Sequence, residues 1–177
     1  MPDQDQHITS PKQNESHPRS FVFWFGLGVL LLGIDQLVKF LAFRYTGIFP
    51  ETTLLKIVAF KNFDFAFSLH VQVVVMYAIY VVALLALLQF ARKRFWKLTR
   101  LEQYGLVLVA SGGLANFLER IVLGYVRDFL SLPGGGIINL ADVYIVLGLV
   151  LLLFGRRASM IKTKHDSENF NSDSHRT

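Results

Sequence analysis

The sequence predicts an integral membrane protein that is mainly α-helical, with four transmembrane helices and a small sheet on the outer surface. Three observations carry that prediction. Of 177 residues, 53% are hydrophobic, and the mean hydropathy is +0.42. The chain is therefore too apolar for an ordinary soluble domain and short for more than one domain. Four stretches, roughly 21–43, 71–91, 101–121 and 138–155, approach the ~20 apolar residues that a helix needs to cross hydrocarbon. Lys and Arg gather on one set of connections, which orients the spans.

Residues 1–20 are polar, rich in Ser, Asp and His, and read as a disordered tail. No signal peptide is expected, because the first apolar run follows this tail without a basic cluster and no small-residue cleavage site follows it. The first span, 21–43, is apolar to Ile34 and then carries Asp35, Gln36 and Lys39. Residues 44–70 include TTLLKIVAFKNFDFAFSLH, whose alternation predicts strand structure. Phe63, Phe65 and Phe67 fall on one face, and Asn62, Asp64, Ala66 and Ser68 on the other, which suggests a small, curved antiparallel sheet.

The second span, 71–91, carries no charge. The link 92–100 has Arg92, Lys93, Arg94, Lys97 and Arg100 and no acid, so it is expected in the cytoplasm. The basic residues after the fourth span, from Arg156 and Arg157 onward, place the C-terminal tail, 157–177, there too, as a second disordered segment. Both termini are thus cytoplasmic, the membrane body is 21–156, and residues 44–70 and 122–137 lie on the far side. Gly134, Gly135 and Gly136 would make the second outer loop mobile. The basic link is read as an orientation signal, and no nucleic-acid partner is expected.

Threaded this way, the polar residues inside or beside the spans arrive at one depth. Asp35 and Lys39 sit in the outer half of the first span. Asn116, Glu119 and Arg120 end the third. Asn139 and Asp142 begin the fourth, and Asp128 lies in the outer loop between them. Intramembrane ionisable groups are costly and mark sites when they converge. Asn116 and Arg120 share a helical face, Glu119 lies beside them, and Asn139 and Asp142 share another. Ser111, Gly112 and Gly113 let the third helix pack closely. Asp35 and Lys39, four apart, read as a structural pair.

Asp128 and Asp142 are the best candidates for a reacting pair. Two adjacent carboxylates share a proton, so one can activate water while the other donates to a carbonyl oxygen. That is aspartic peptide hydrolysis, and it calls for no metal or cofactor. The chain has no cysteine. Its membrane body has one histidine, His70, too few for the usual zinc set. Ser68 and His70 lack an oxyanion loop. A small proton-coupled carrier would need polar groups through the inner halves of the spans, which are nearly uncharged. The bland alternatives make Asp128 an exposed loop acid paired with Arg127, Asp142 a helix-N-terminal acid favoured by the dipole, and Glu119 a salt-bridge partner.

Five short motifs occur in order: Asp35-Gln36-x-x-Lys39, Asn62-x-x-x-Ala66-Phe67-Ser68, Gly112-Gly113-x-x-Asn116-x-x-Glu119-Arg120, Val126-x-Asp128-Phe129 and Asn139-x-Ala141-Asp142. Together they resemble lipoprotein signal peptidase, the bacterial signal peptidase II family, over residues 21–155. The resemblance implies four transmembrane helices with a small periplasmic β-cradle (about 44–70) and an aspartic endopeptidase of the bacterial inner membrane. Its substrates would be prolipoproteins carrying a diacylglyceryl-cysteine, met among membrane lipid, and a monomer is expected. By motif position Asp128 and Asp142 would be catalytic. Asn116, Arg120 and Asn139 would orient them and hold the peptide backbone, with support from Asp35, Lys39, Asn62 and Glu119. The family usually has Asp at position 119 and Gly at position 64, so Glu119 and Asp64 are departures, and an inactive or repurposed paralogue that binds lipoprotein precursors is the rival.

Overall fold

The computed structural model describes residues 18–46, 56–63 and 73–174. Helices form along the apolar runs: α1 (Pro18–Arg44), α2 (Val73–Arg94), α3 (Arg100–Leu123) and α4 (Leu140–Ser174). Three strands, β1 (Lys56–Asn62), β2 (Val126–Ser131) and β3 (Ile137–Ile138), form one antiparallel sheet in the order β1-β2-β3. Residues 64–72, and with them Asp64, Phe65, Ala66, Phe67, Ser68 and His70, lie outside the described residues, as do 1–17, 47–55 and 175–177.

Several helix boundaries have a local cause. Pro18 supplies the fixed φ favoured at a first helical position. A 3₁₀ turn at Phe95–Lys97 follows α2. Thr99 then caps α3 through a reciprocal capping box with Glu102. Gly124, with φ of +80°, ends α3 in a left-handed C-cap. The sequence reading stops the last helix near 155 and leaves 157–177 without structure. The structure carries α4 on to Ser174, across a segment with neither Gly nor Pro to stop it.

Among the described residues, three segments are long and apolar enough to cross a membrane: Phe21–Arg44, Val74–Lys97 and Arg100–Leu123. Their outward faces expose large apolar side chains such as Phe25, Val29, Leu37, Val74, Val82 and Leu85. The buried set, by contrast, includes Asp35, Lys39, Asn116, Glu119, Arg120, Asp128 and Asn139. An apolar exterior around a polar interior is the inverse of a water-soluble domain and suits a lipid solvent.

Antiparallel α3 and α4 form the tightest helix pair, and glycine sets their separation. A Cβ on Gly112 would stand 2.4 Å from the Ala141 carbonyl oxygen. One on Gly105 would stand 2.7 Å from the Gly148 oxygen, and one on Gly148 2.6 Å from the Gly105 oxygen. These contacts recur every seven residues on both helices, which fixes a single register. Of the Ser111-Gly112-Gly113 run, only Gly112 makes the close approach, since a Cβ on Gly113 would meet nothing nearer than Leu84 at 3.9 Å. Ser111 instead donates to the Gly28 carbonyl of α1 at 3.3 Å.

The sheet departs from expectation in its partners. The strand expected within 44–70 is present at 56–62, but it pairs with β2 from the second outer connection, which the sequence reading treats as a loop. Lys56 opposes Ser131, Ile57 opposes Leu130, and after a register shift Phe60 opposes Asp128 and Asn62 opposes Val126. That shift inserts one extra residue on β1, as a bulge does. Without it Lys61, rather than Asn62, would share the face of Asp128, because a one-residue slip inverts a strand. The bulge therefore selects which side chain meets Asp128.

Candidate active site

Asp128 sits in the middle of β2 and is 1% exposed. Its two carboxylate oxygens accept from Asn139 Nδ2 at 2.6 Å and Asn62 Nδ2 at 2.7 Å. Asn62 reaches it diagonally across the β1–β2 ladder. Burial pushes the Asp128 carboxyl up to about 6. The hydrogen bonds from Asn62 and Asn139 oppose that rise, the Asp142 charge adds to it, and Lys39 counters it weakly.

Asp142 lies in the first turn of α4 and is partly exposed, so it is the more open of the two. Its oxygens accept from Asn116 Nδ2 at 2.9 Å and from the Asn139 backbone N–H at 3.1 Å. The Asn139 side-chain oxygen accepts in turn from the Asp142 N–H at 3.0 Å. Asn139 and Asp142 thus form a reciprocal capping box at the start of α4. The helix-terminal role of Asp142 and its place beside Asp128 are one arrangement. A single residue, Asn139, binds both carboxylates: its backbone N–H meets Asp142 and its side-chain NH₂ meets Asp128, while its side-chain oxygen is committed to the cap.

A second layer holds these donors. Lys39, fully buried, places its ammonium 2.9 Å from Asn116 Oδ1, 2.9 Å from Asp35 Oδ2 and 3.0 Å from Glu119 Oε2. Three N–H groups meet three acceptors, which a buried ammonium requires. Because Lys39 can only donate, it draws the carbonyl oxygen of Asn116 and leaves the NH₂ for Asp142. Asp35 accepts from the Ala141 N–H at 2.8 Å, at the positive end of α4. The structural pair expected at Asp35 and Lys39 is therefore present, and each member also reaches the fourth helix or the third.

Glu119 bridges two cations: it accepts from Lys39 and from both the backbone N–H (3.0 Å) and the Nε of Arg127. Arg127 also donates to Gln36 Oε1 at 3.0 Å. The alternative pairing of Arg127 with an exposed Asp128 is thus overturned, since Asp128 is buried and the partners of Arg127 are Glu119 and Gln36. Arg120 is buried with its guanidinium over the Tyr80 ring at 5.7 Å, and its carbonyl accepts from the Tyr77 hydroxyl at 2.6 Å. Its described contacts lie toward α2. Tyr77 and Tyr80 escaped the sequence reading, and Arg127 entered it only as a partner for Asp128, on the strength of their adjacency. Among the described residues no group of three or more His, Asp or Glu is arranged to hold a metal ion.

Comparison with known proteins gives a consistent result. Residues 27–156 match the family model described as Signal peptidase (SPase) II. The chain is 30% identical over 164 residues to the lipoprotein signal peptidase of Bartonella henselae, covering 82% of this chain and 95% of that one. It is 33% identical over 133 residues to the lipoprotein signal peptidase of Moorella thermoacetica, covering 71% and 87%. Two solved bacterial membrane enzymes share the fold, with TM-scores of 0.67 and 0.64 at 22% and 23% identity. The first match covers 81% of this chain and the second 75%, with 90% of the solved chain covered in each.

Proposed function

The chain belongs to the signal peptidase II family and is a lipoprotein-processing membrane peptidase, and from that premise we propose that it is an aspartic endopeptidase cutting signal peptides from diacylglyceryl-modified prolipoproteins. Asp128 and Asp142 are the reacting pair. The observation that carries this reading is that Asn139 hydrogen-bonds to both carboxylates, one of them buried and raised to about 6. A pair so held keeps a proton to a higher pH than an ordinary carboxylate would, up to about pH 6.

The ionised carboxylate takes a proton from water as the oxygen attacks the scissile carbonyl. The protonated partner gives its proton to the carbonyl oxygen. Collapse of the tetrahedral intermediate breaks the C–N bond, and the nitrogen leaves with a proton returned by the pair. No covalent enzyme intermediate forms. Asn116, held by Lys39, and Asn139, held by the cap, keep the pair oriented, and Asn62 closes the sheet side of Asp128. Arg120 would hold the substrate backbone.

The membrane body is 21–156, with the apolar part of α4 as a fourth span. The basic residues 92–100 and 156–157 favour cytoplasmic termini in a bacterial inner membrane, with the pair at the outer face. The diacylglyceryl group would lie in the outer leaflet and bring the scissile bond to the pair. The test is separate replacement of Asp128 and Asp142 with Asn, followed by prolipoprotein processing in membranes. Both variants are expected to accumulate uncut precursor while still binding it. Cleavage at the parent rate by either one refutes the reading.

A further inference from the structure

Arg127 takes no part in the chemistry above, yet it is the best-anchored side chain next to a reacting carboxylate. Glu119 grips it twice: one carboxylate oxygen accepts its backbone N–H at 3.0 Å, the other its Nε. Its terminal NH₂ reaches Gln36 on α1 at 3.0 Å. Gln36 donates to Asp35 at 3.1 Å, and Asp35 holds the first turn of α4 through the Ala141 N–H. Glu119, only 2% exposed at its side chain, also contacts Lys39, whose ammonium sets the orientation of Asn116. Arg127 thus ties β2 to α1 and α3 and, through Gln36 and Asp35, to α4.

The charges close on themselves. Asp35 and Glu119 are balanced by Lys39 and Arg127, so the layer is neutral without drawing on Asp128 or Asp142. Removing the Arg127 side chain leaves Glu119 with an excess negative charge that competes for Lys39, and leaves the backbone N–H as the one remaining tie between residue 127 and Glu119.

We infer that the Arg127–Glu119 pair is a positioning clamp for peptide cleavage: it sets the height of Asp128 on β2 and, through Lys39 and Asn116, the donor facing Asp142. The inference rests on the aspartic reading given above. Arg127 is a positioning residue and touches no substrate atom. A displacement of about 1 Å in a reacting group can lower a rate about 100-fold, so the clamp is expected to act on kcat and to leave KM alone.

The experiment uses the full chain, purified in detergent with lipid, and a synthetic diacylglyceryl lipopeptide as substrate. Arg127→Gln is expected to lower kcat by about 10- to 100-fold with KM within about twofold. Arg127→Lys keeps one charged contact to Glu119 but loses the reach to Gln36, and it should recover part of the loss. Glu119→Gln combined with Arg127→Gln should be no worse than Glu119→Gln alone, because Arg127 acts through Glu119. Lys61→Gln is the charge control. Lys61 opposes Arg127 across the ladder and lies over the Tyr125 ring, outside the clamp, so it should keep the parent kcat.

Parent kcat in folded Arg127→Gln overturns the inference, as does a loss expressed in KM alone or an equal loss in Lys61→Gln. If Arg127→Gln does not fold, as judged by its thermal transition, the decision passes to Arg127→Lys, where a reduced kcat supports the clamp and a parent kcat refutes it. Asp128→Asn run in parallel separates the two readings. Activity there sinks the aspartic mechanism, whereas an inactive Asp128→Asn beside a fully active Arg127→Gln sinks the clamp alone.

Discussion

Adding one methyl group at Gly112 should disable the enzyme, while the same change at Gly113 should not. A Cβ at 112 would stand 2.4 Å from the Ala141 carbonyl oxygen and 2.9 Å from Ile145 Cγ1. Ordinary contact begins at 3.4 Å, so the first turn of α4 must retreat by about 1 Å to accommodate it. That turn carries Asn139 and Asp142. The 2.9 Å bond from Asn116 to Asp142 and the 2.6 Å bond from Asn139 to Asp128 would stretch by a similar amount, out of the range of strong hydrogen bonds. Overpacking costs about 1–3 kcal/mol of stability, offset by roughly 1 kcal/mol from the better helix propensity of Ala, so the protein should still fold. A displacement of about 1 Å in reacting groups lowers rates by about 100-fold. The assay is kcat/KM on a diacylglyceryl lipopeptide, with thermal unfolding in the same detergent. At Gly113 the nearest atom is 3.9 Å away, and Ala there should process at nearly the parent rate. Gly112→Ala with parent activity would show that the spacing of α3 and α4 does not position the pair.

Three further outcomes follow from the site. Burial holds the Asp128 carboxyl at about 6 against a usual 3.8. The folded protein therefore keeps a proton between pH 3.8 and about 6 that the unfolded chain has released, and this contribution to stability is lost as pH rises through that window. Asn62→Leu removes a hydrogen bond that favours the charged form, so the alkaline limb of the kcat/KM profile should move to higher pH, and a limb that stays or moves down refutes that role. Lys39→Met leaves the Asp35 and Glu119 carboxylates buried without their shared ammonium. Breaking such a pair costs about 3–5 kcal/mol, seen as a lowered midpoint of thermal unfolding in detergent, and unfolding alongside the parent would show that the ammonium is dispensable.

Much of this architecture is local in origin and could be read along the chain. Apolar runs marked the helices to within a few residues, except where α4 continues past Gly155. A strand was expected within 44–70 and β1 lies there, although the alternation read at 62–68 falls mostly beyond it, and the polar residues that meet at the site could be picked out by their depth. Asn139 and Asp142, three apart, already contained the cap they form, because a capping box is built within one turn. The short strands β2 and β3 were harder to see. VRDFLS and the pair Ile137–Ile138 are too brief for a periodicity to emerge; β1 supplies the edge on which the first is a strand, and the first supplies the edge for the second.

What the sequence determined by itself was composition, where the helices lie and which ionisable groups had to find partners. Tertiary structure alone decided who those partners are. Nothing near Arg127 in the chain points to Glu119 or Gln36, and nothing near Gly112 points to Ala141. Those choices come from close backbone approach between α3 and α4 and from one extra residue in β1, which turns Asn62 rather than Lys61 toward Asp128. The reason is physical: periodicity and propensity act over a few residues, whereas a buried charge in an apolar surround is satisfied only by a partner brought from elsewhere in the fold.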